Sequence, residues 1–219
     1  MPTTPSTAVL LFSRSASAEA AAKGFGPGGQ RVTTAMIRRT SRTIERSGLP
    51  VFRSDQFSQS GDSFGQRLAN AVRRVFASGV DRLIVVGNDC PYLTSNDLRR
   101  AARHLASGRS VVGPDRRGGV YLLGLQAADF CAATFAALPW ETDELAGALT
   151  AGHAGIALLP RRSDLNGLLD FRTAWHSLRR LFAELYDLIT SRAALFSTTI
   201  SLCPVVLTSR SAGRAPPVG

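Results

Sequence analysis

The sequence lacks the features that mark secreted, disulfide-bonded and membrane-spanning proteins. Its three cysteines, Cys90, Cys131 and Cys203, are widely spaced and form neither a Cys-x-x-Cys pair nor a zinc pattern. This sparse, odd set argues against a disulfide framework and favours a reducing, cytoplasmic setting. No apolar run reaches the ~20 residues that span a bilayer. Residues 8–12 follow no positive charge and are too short for a secretory signal, so we expect no export.

Several motifs of common enzyme classes are also missing. No Gly-x-Gly-x-x-Gly follows a strand and no Walker pattern is present, which disfavours dinucleotide-binding and P-loop folds. No Gly-x-Ser-x-Gly elbow occurs, which disfavours an α/β-hydrolase. The three histidines, His104, His153 and His176, lie far apart and outside any metal-binding or triad pattern. We therefore expect surface or helix-face positions for them.

The chain is basic, and almost all of its positive charge is arginine. The net charge is +10, and Lys23 is the only lysine among 26 basic residues. The basic residues are spread along the chain, without the aromatic and basic stripe that stacks nucleic acid bases. The pattern predicts no nucleic acid partner and is compatible with a phosphorylated small ligand.

Short apolar runs alternate with amphipathic segments, which predicts an α/β domain. With 219 residues, 44% of them hydrophobic, the chain can bury a substantial core. The alternation implies a mostly parallel, doubly wound sheet with helices on both faces. Strands are predicted near residues 7–12, 49–53, 82–86, 110–112, 118–125 and 156–159. Helices are predicted near residues 31–47, 64–78 and 95–106.

The C-terminal part is predicted to form a docked helix followed by a tail. Apolar residues recur at helical spacing from Leu168 to Leu188. We expect one domain over residues 1–185, which includes this helix, and a partly disordered tail over residues 186–219. A helix lying on a membrane surface, with the basic tail contacting anionic lipid, is an alternative interpretation.

Ligands of such sheets bind outside the carboxyl ends of the strands, which directs attention to the loops there. Asn88 and Asp89 directly follow the apolar run that ends at Val86. A carboxylate in this position can hold Mg²⁺ or Mn²⁺ against a diphosphate, because hard cations prefer oxygen ligands. The alternative is that Asp89 caps a turn before Pro91.

Two further loops carry candidate residues. Asp115, Gly118 and Gly119 belong to a segment that also contains two arginines, and glycines permit a close approach of backbone to ligand. A charged hairpin turn is the alternative. Asp164, with Asn166 and Asp170 nearby, follows the last predicted strand and could supply a second metal ligand, or the cluster could form a helix N-cap.

Basic residues after the first strand complete the candidate set. Ser13, Arg14, Lys23 and Arg31 suit the phosphates of a nucleotide, although each could equally be a solvated surface charge.

Taken in order, these segments resemble a bacterial family of GT-A-like glycosyltransferases, long classed as a domain of unknown function. The family is distantly related to nucleotidyltransferases such as the molybdenum-cofactor guanylyltransferase. The resemblance covers roughly residues 7–175. It rests on the segments FSRS, FGQRLANA, RLIVVGNDCPYLT, VVGPDRRGGVYLLGL, LPWETD and SDLN.

The resemblance implies a single GT-A, Rossmann-like, three-layer domain that uses a nucleotide-sugar and a divalent metal. Asp89 matches the Asp of the family's Asp-Cys-Pro motif, and Asp164 matches the first acidic position of its late motif. Gly118 and Gly119 match its Gly-Gly pair. Arg117 stands where family members commonly have Asp, and Asn166 stands where they have a second Asp.

The segments and the resemblance together predict a transferase. The leading hypothesis is transfer of a sugar from a nucleotide-sugar to an acceptor of unknown identity, with Mg²⁺ or Mn²⁺ on Asp89 and Asp164. Asp115 is the candidate acceptor-side base. Nucleotidyl transfer from a nucleoside triphosphate is one alternative, and a non-catalytic nucleotide-binding domain is another, motivated by the substituted acidic positions.

Overall fold

The computed structural model describes residues 6–26, 28–151, 155–180 and 182. Its strands are β1 (Thr7–Phe12), β2 (Val51–Ser54), β3 (Arg82–Val86), β4 (Val111–Pro114), β5 (Val120–Gln126) and β6 (Ala157–Leu158). Its helices are α1 (Ala16–Ala22), α2 (Gly29–Glu45), α3 (Phe64–Ala77), α4 (Ser95–Ala106), α5 (Ala132–Ala136), α6 (Leu145–Thr150) and α7 (Leu168–Leu178). A short 3-10 helix spans Ala127–Asp129.

The six strands form one sheet in the order β2-β1-β3-β5-β4-β6. The pairs β1–β2, β1–β3 and β4–β6 are parallel, and β5 is antiparallel to both β3 and β4. Five strands therefore run in one direction and β5 runs against them. The predicted mostly parallel α/β sheet is confirmed.

The sheet is covered on both faces, which gives the three-layer architecture. Successive residues of β1 alternate between two apolar clusters, with Val9 and Leu11 in one and Ala8, Leu10 and Phe12 in the other. Helices α2 and α4 contribute to the first cluster, whereas α3 and α5 contribute to the second. Because strand side chains alternate between the faces of a sheet, burial on both faces explains the continuous apolar runs.

Two helices begin where the sequence predicts, at reciprocal caps. In α4 the hydroxyl of Thr94 accepts from the Asp97 amide, and the Asp97 carboxylate accepts from the Thr94 amide. Ser63 and Gln66 make the equivalent pair at the start of α3. Each cap satisfies backbone donors that the first turn of a helix leaves unpaired. The caps fix the point at which each helix leaves the edge of the sheet.

The C-terminal helix α7 begins at Leu168, as the apolar stripe predicts. Leu178 and Phe182 are fully buried, and the Tyr92 hydroxyl lies 2.6 Å from the Ser177 hydroxyl. Helix α7 is therefore docked on the domain. The rest of the predicted stripe, beyond Phe182, and the predicted tail over residues 186–219 lie outside the described residues. Within the described part of the chain, no helix is both long and apolar enough to cross a bilayer.

Candidate functional site

The loops after β1, β3 and β6 meet at one edge of the sheet and line a cavity of about 380 Å³, called here the first cavity. Seven of the residues singled out from the sequence line it, namely Ser13, Arg14, Lys23, Asn88, Asp89, Asp164 and Asn166. They come from distant parts of the chain, and the carboxyl ends of the neighbouring strands β1 and β3 bring them together.

Lys23 joins two of these loops. Its ammonium lies 2.6 Å from Asp89 Oδ1, a contact between charges that is not a well-aligned hydrogen bond. It also donates to the Leu165 carbonyl at 2.9 Å, and the Leu165 amide donates to the Asp89 carbonyl at 2.9 Å. The Lys23 side chain is only 9% exposed, whereas that of Asp89 is 36% exposed. The only lysine of the chain is thus the cation that faces Asp89.

Asp164 lies beside Asp89 and carries a perturbed carboxyl group. Burial and the neighbouring carboxylates of Asp89 and Asp115 together raise its pKa to about 7, against the opposing effects of a hydrogen bond with Cys90 and of the Lys23 charge. Asp164 Oδ1 is buried and has no hydrogen-bond partner among the described residues. A buried acceptor without a donor is costly, so it indicates a place where a ligand or cation would bind.

Asn88 presents a second unpartnered polar group to the first cavity. The residue is only 3% exposed, and its Nδ2 has no partner within the described part of the chain. The amide can donate two hydrogen bonds, and the residue lines the cavity next to Asp89. Asn88 therefore joins Asp164 as a polar residue whose hydrogen bonding is incomplete without a ligand.

A second cavity of about 520 Å³ adjoins the first. The two cavities share Asp89, Glu141, Asp164 and the aromatic residues Phe64 and Trp140, among others. Asp115 and Gly119 line only the second cavity. The carboxylates of Asp89 and Asp164 thus lie at the junction of two spaces.

Asp115 holds the turn between β4 and β5. Its Oδ1 accepts from the amides of Arg117 at 2.7 Å and Gly119 at 2.8 Å, and the residue is 5% exposed. The segment forms a hairpin, which was the alternative interpretation of this loop, and the same carboxylate lines the second cavity. The hairpin therefore holds Asp115 in one orientation at the cavity wall.

Gly118 has a packing role in this turn. Its φ is +95°, and a Cβ there would lie 1.9 Å from the carbonyl oxygen of Asp143. Gly118 lines neither cavity, whereas Gly119 lines the second. A side chain at Gly118 would push the Asp143 loop away from the hairpin.

Arg117, which stands where family members commonly have Asp, contacts the segment that carries Asp164 and Asp170. Its Nη2 lies 2.7 Å from Asp170 Oδ2 and donates to the Asp164 carbonyl at 3.1 Å. This interaction raises the pKa of Arg117 and lowers the pKa of Asp170 against the effect of its partial burial. Asp170 also accepts from the Asn166 amide at 2.8 Å, so it orders the start of α7 as an N-terminal acid does.

One predicted phosphate residue lies elsewhere. Arg31 is exposed in the first turns of α2 and lines neither cavity. Gln59 and Arg67, which the sequence analysis does not single out, line the first cavity, where Arg31 was expected. The segment FGQRLANA contains Arg67 and supported the family resemblance, so its place in the sequence was a usable signal. Gln59 lies in a polar loop and had no such signal.

Trp140 and Glu141 were also missed, although the segment LPWETD contains both. Trp140 packs against Phe64 and Phe135 and donates from its ring nitrogen to the Phe135 carbonyl at 2.8 Å. Glu141 has a φ of +63°, the only positive value among the described residues other than glycine. Such a conformation persists only where the surroundings hold it.

The residues present fit a divalent cation held jointly by protein and phosphate. Within the described ranges, no group of three His, Cys, Asp or Glu side chains could form an all-protein metal site. Mg²⁺ usually takes one or two carboxylates and completes its shell with water and substrate phosphate. Asp89 and Asp164 line the first cavity and supply such a pair, and Asp164 Oδ1 has no hydrogen-bond partner among the described residues.

Comparison with solved structures identifies the fold. A candidate nucleotide-diphospho-sugar transferase from Desulfovibrio desulfuricans G20 matches with a TM-score of 0.70 at 20% identity, covering 86% of this chain and 98% of that one. The fold is that of the Rossmann-like nucleotide-diphospho-sugar transferases. The family model described as an uncharacterized protein conserved in bacteria (DUF2064) matches residues 30–142. The chain belongs to this family, which confirms the resemblance drawn from its motifs.

Other solved structures are more distant. Rv0371c from Mycobacterium tuberculosis H37Rv, in complex with manganese, has a TM-score of 0.48 at 17% identity and covers 80% of this chain and 100% of that one. A cytidylyltransferase from Leptospira borgpetersenii serovar Hardjo-bovis has a TM-score of 0.44 at 13% identity and covers 88% and 97%. No curated protein sequence matches the chain.

Proposed function

We propose that this protein is a glycosyltransferase that binds a nucleotide-sugar in the first cavity and transfers the sugar to an acceptor in the second. The observation that carries the proposal is the junction at Asp89 and Asp164, which line both cavities. A donor with its diphosphate at this junction would present its sugar to the second cavity. The transferase fold and the membership of the family are consistent with this arrangement.

Basic side chains of the first cavity are the proposed phosphate partners. Arg14, Lys23 and Arg67 line it and can interact with phosphate oxygens, and a guanidinium can do so with two parallel hydrogen bonds. Asn88 would donate its unpartnered amide hydrogen to the same group. In this proposal Ser13 and Gln59 lie near the nucleoside, because they line the cavity beside the end of β1.

The carboxylates at the junction would repel a diphosphate that has no bound cation. Asp89 is paired with Lys23, whereas Asp164 forms no ion pair within the described ranges and interacts unfavourably with Asp89. Mg²⁺ or Mn²⁺ held by Asp89 and Asp164 would neutralise charge on the diphosphate as it leaves. Lys23 would meanwhile hold the Asp89 carboxylate in place through its bond to the Leu165 carbonyl.

Asp115 is the proposed base for the acceptor. The acceptor oxygen would bond to the anomeric carbon of the sugar as the bond from that carbon to the diphosphate oxygen breaks. The hydroxyl proton would pass to the Asp115 carboxylate, and the diphosphate would leave with the bonding electron pair. The two amide donors to Oδ1 hold the carboxylate at the cavity wall, so the group would need no reorientation.

A thermal-shift panel tests the donor class. Nucleoside mono-, di- and triphosphates and nucleotide-sugars are added to the full chain with and without MnCl₂, and released nucleotide is measured. Nucleotide-sugar binding that MnCl₂ strengthens, followed by release of nucleoside diphosphate, supports the proposal. Preferred binding of a triphosphate with release of pyrophosphate would instead identify a nucleotidyltransferase. Binding without release of nucleotide, either by hydrolysis or after neutral and amine-bearing sugars are added as acceptors, would identify a non-catalytic domain.

The Asp89→Asn variant tests the junction. It should lose the MnCl₂ dependence of nucleotide binding, because a neutral amide cannot replace a carboxylate as a cation ligand. Asp129→Asn is the matched control, since Asp129 is exposed and lines neither cavity. Unchanged MnCl₂ dependence in Asp89→Asn would remove Asp89 from the metal site.

A further inference from the structure

The second cavity differs from the first in charge. The part that belongs to the first cavity alone carries Arg14, Lys23 and Arg67 against one acid, Glu19. The part that belongs to the second alone carries the acids Asp115 and Asp143 against Arg117. Arg117 is already engaged by Asp170 at 2.7 Å. The second cavity is therefore an acidic space on a chain whose net charge is +10.

The junction adds to this negative charge. Asp89, Glu141 and Asp164 line both cavities, and of these Asp89 is paired with Lys23. Asp164 Oδ1 is buried and has no partner among the described residues. Asp89 and Asp164 are the proposed cation ligands, so a group that enters the second cavity meets chiefly Asp115 along the hairpin wall, with Asp143 and Glu141. Carboxylate oxygens accept hydrogen bonds and donate none, so they suit hydroxyl and ammonium groups.

Trp140 gives the cavity a rigid apolar surface. Its ring packs at 5.6 Å from Phe64 and at 4.9 Å from Phe135, measured between centroids, and its nitrogen is bonded to a backbone carbonyl. Gly65 packs directly against the same ring, since a Cβ there would lie 2.5 Å from it. An apolar surface among a few fixed polar groups is the common composition of a small-molecule site.

We infer that the second cavity takes an acceptor sugar that is neutral or carries an amine, and excludes sugars that carry phosphate or carboxylate. The inference takes the reaction from the proposed function. The acceptor class follows from the acidic residues of the second cavity and from the apolar surface of Trp140. An anionic acceptor would face the buried Asp115 carboxylate, with the exposed acids Asp143 and Glu141 at the same cavity. Like charges repel, and the repulsion is strongest beside the buried carboxylate, where water screens it least.

Four hexoses that differ in charge test the acceptor class. Methyl glucoside, glucosamine, glucuronate and glucose 6-phosphate are titrated into the full chain with MnCl₂ and either UDP or GDP, and binding is followed by saturation-transfer NMR. We expect glucosamine and methyl glucoside to bind about tenfold or more tightly than the two anionic sugars. Equal binding of glucose 6-phosphate and glucosamine would overturn the inference.

A charge reversal assigns the effect to the cavity. Asp143→Lys should reduce the preference for glucosamine and improve binding of glucose 6-phosphate, whereas the exposed control Asp129→Lys should behave as the wild type. Identical behaviour of the two variants would overturn the inference, and so would nucleotide binding without binding of any of the hexoses. A charge preference among hexoses without any nucleotide binding would support the acceptor class and refute the proposed donor. If neither nucleotide nor any hexose binds, both the proposed donor and the acceptor class are refuted.

Discussion

Replacement of Lys23 by methionine removes the cation between the loops after β3 and β6 and keeps most of the side-chain volume. The hydrogen bond to the Leu165 carbonyl is lost, which costs about 1 kcal/mol. Asp89 is left without its partner, and loss of one partner from a fully buried pair costs about 3–5 kcal/mol. Asp89 is 36% exposed, so water offsets much of this and about 1–2 kcal/mol remains. The total loss of unfolding free energy is about 2–3 kcal/mol.

Thermal and urea unfolding of Lys23→Met measure this loss. For a chain of this size we expect Tm to fall by about 5–10 °C. Lys23→Arg should lie between the variant and the wild type, because it keeps the charge but changes the shape of the donor. Arg38→Met is the control for removal of a cation from an exposed position, and should leave Tm nearly unchanged.

The loss of Lys23 should also change the response to metal. Without the ammonium, Asp89 has no described cation partner, so MnCl₂ should raise Tm more in Lys23→Met than in the wild type. A variant with wild-type stability would refute the reasoning, because it would mean that the ion pair and the carbonyl contact do not hold these loops together.

Three further predictions concern stability. The pKa of about 7 for Asp164 lies above its unfolded value, so the folded chain retains a proton that the unfolded chain has lost between about pH 4 and 7. Stability should therefore fall as pH rises through this range, and urea titrations should show that Asp164→Asn removes this dependence and stabilises the protein at pH 8 by roughly 2–4 kcal/mol. Gly118→Ala should lower the unfolding free energy by about 2 kcal/mol or more, because its Cβ would meet the Asp143 carbonyl at 1.9 Å with φ at +95°. A loss of less than about 0.2 kcal/mol in urea unfolding would contradict the packing. Asp97→Ala should lower the unfolding free energy in urea by about 3 kcal/mol, because Asp97 is 3% exposed, caps α4 and pairs with Arg162 at 2.7 Å. Asp129→Ala, at an exposed position, is the control.

The sequence predicts the elements best where a single local rule decides them. Strand β3 is a continuous apolar run between polar residues, and its observed bounds agree with the prediction. The cap at Thr94 and Asp97 likewise fixes the start of α4. Helix α2 begins at Gly29, two residues before the predicted start, because the glycine-rich segment continues into the helix. Local pattern alone does not determine where a loop of this kind ends.

The direction of β5 depends on a longer-range relation. Residues 115–119 connect β4 to β5 in a hairpin, and so short a connection requires antiparallel strands. A hairpin is one of the two interpretations that the sequence allows for this loop, so the local pattern leaves the direction of β5 open. For the site, strand ends predict that Asp89 and Asp164 meet. They do not predict the Lys23 contact or the contribution of Trp140, because side-chain reach and loop packing decide these.

The chain has one lysine, and this lysine lies at the candidate site, where an amine-directed reagent can modify it. Apart from the terminal amine, Lys23 is the single primary amine in a chain of 219 residues. Reagents that acylate amines can therefore modify the protein at one internal position, and that position lies against Asp89. Peptide mapping of acylation at Lys23, resolved from acylation of the terminal amine and measured with and without nucleotide, would report occupancy of the cleft with no need to engineer a probe into the protein.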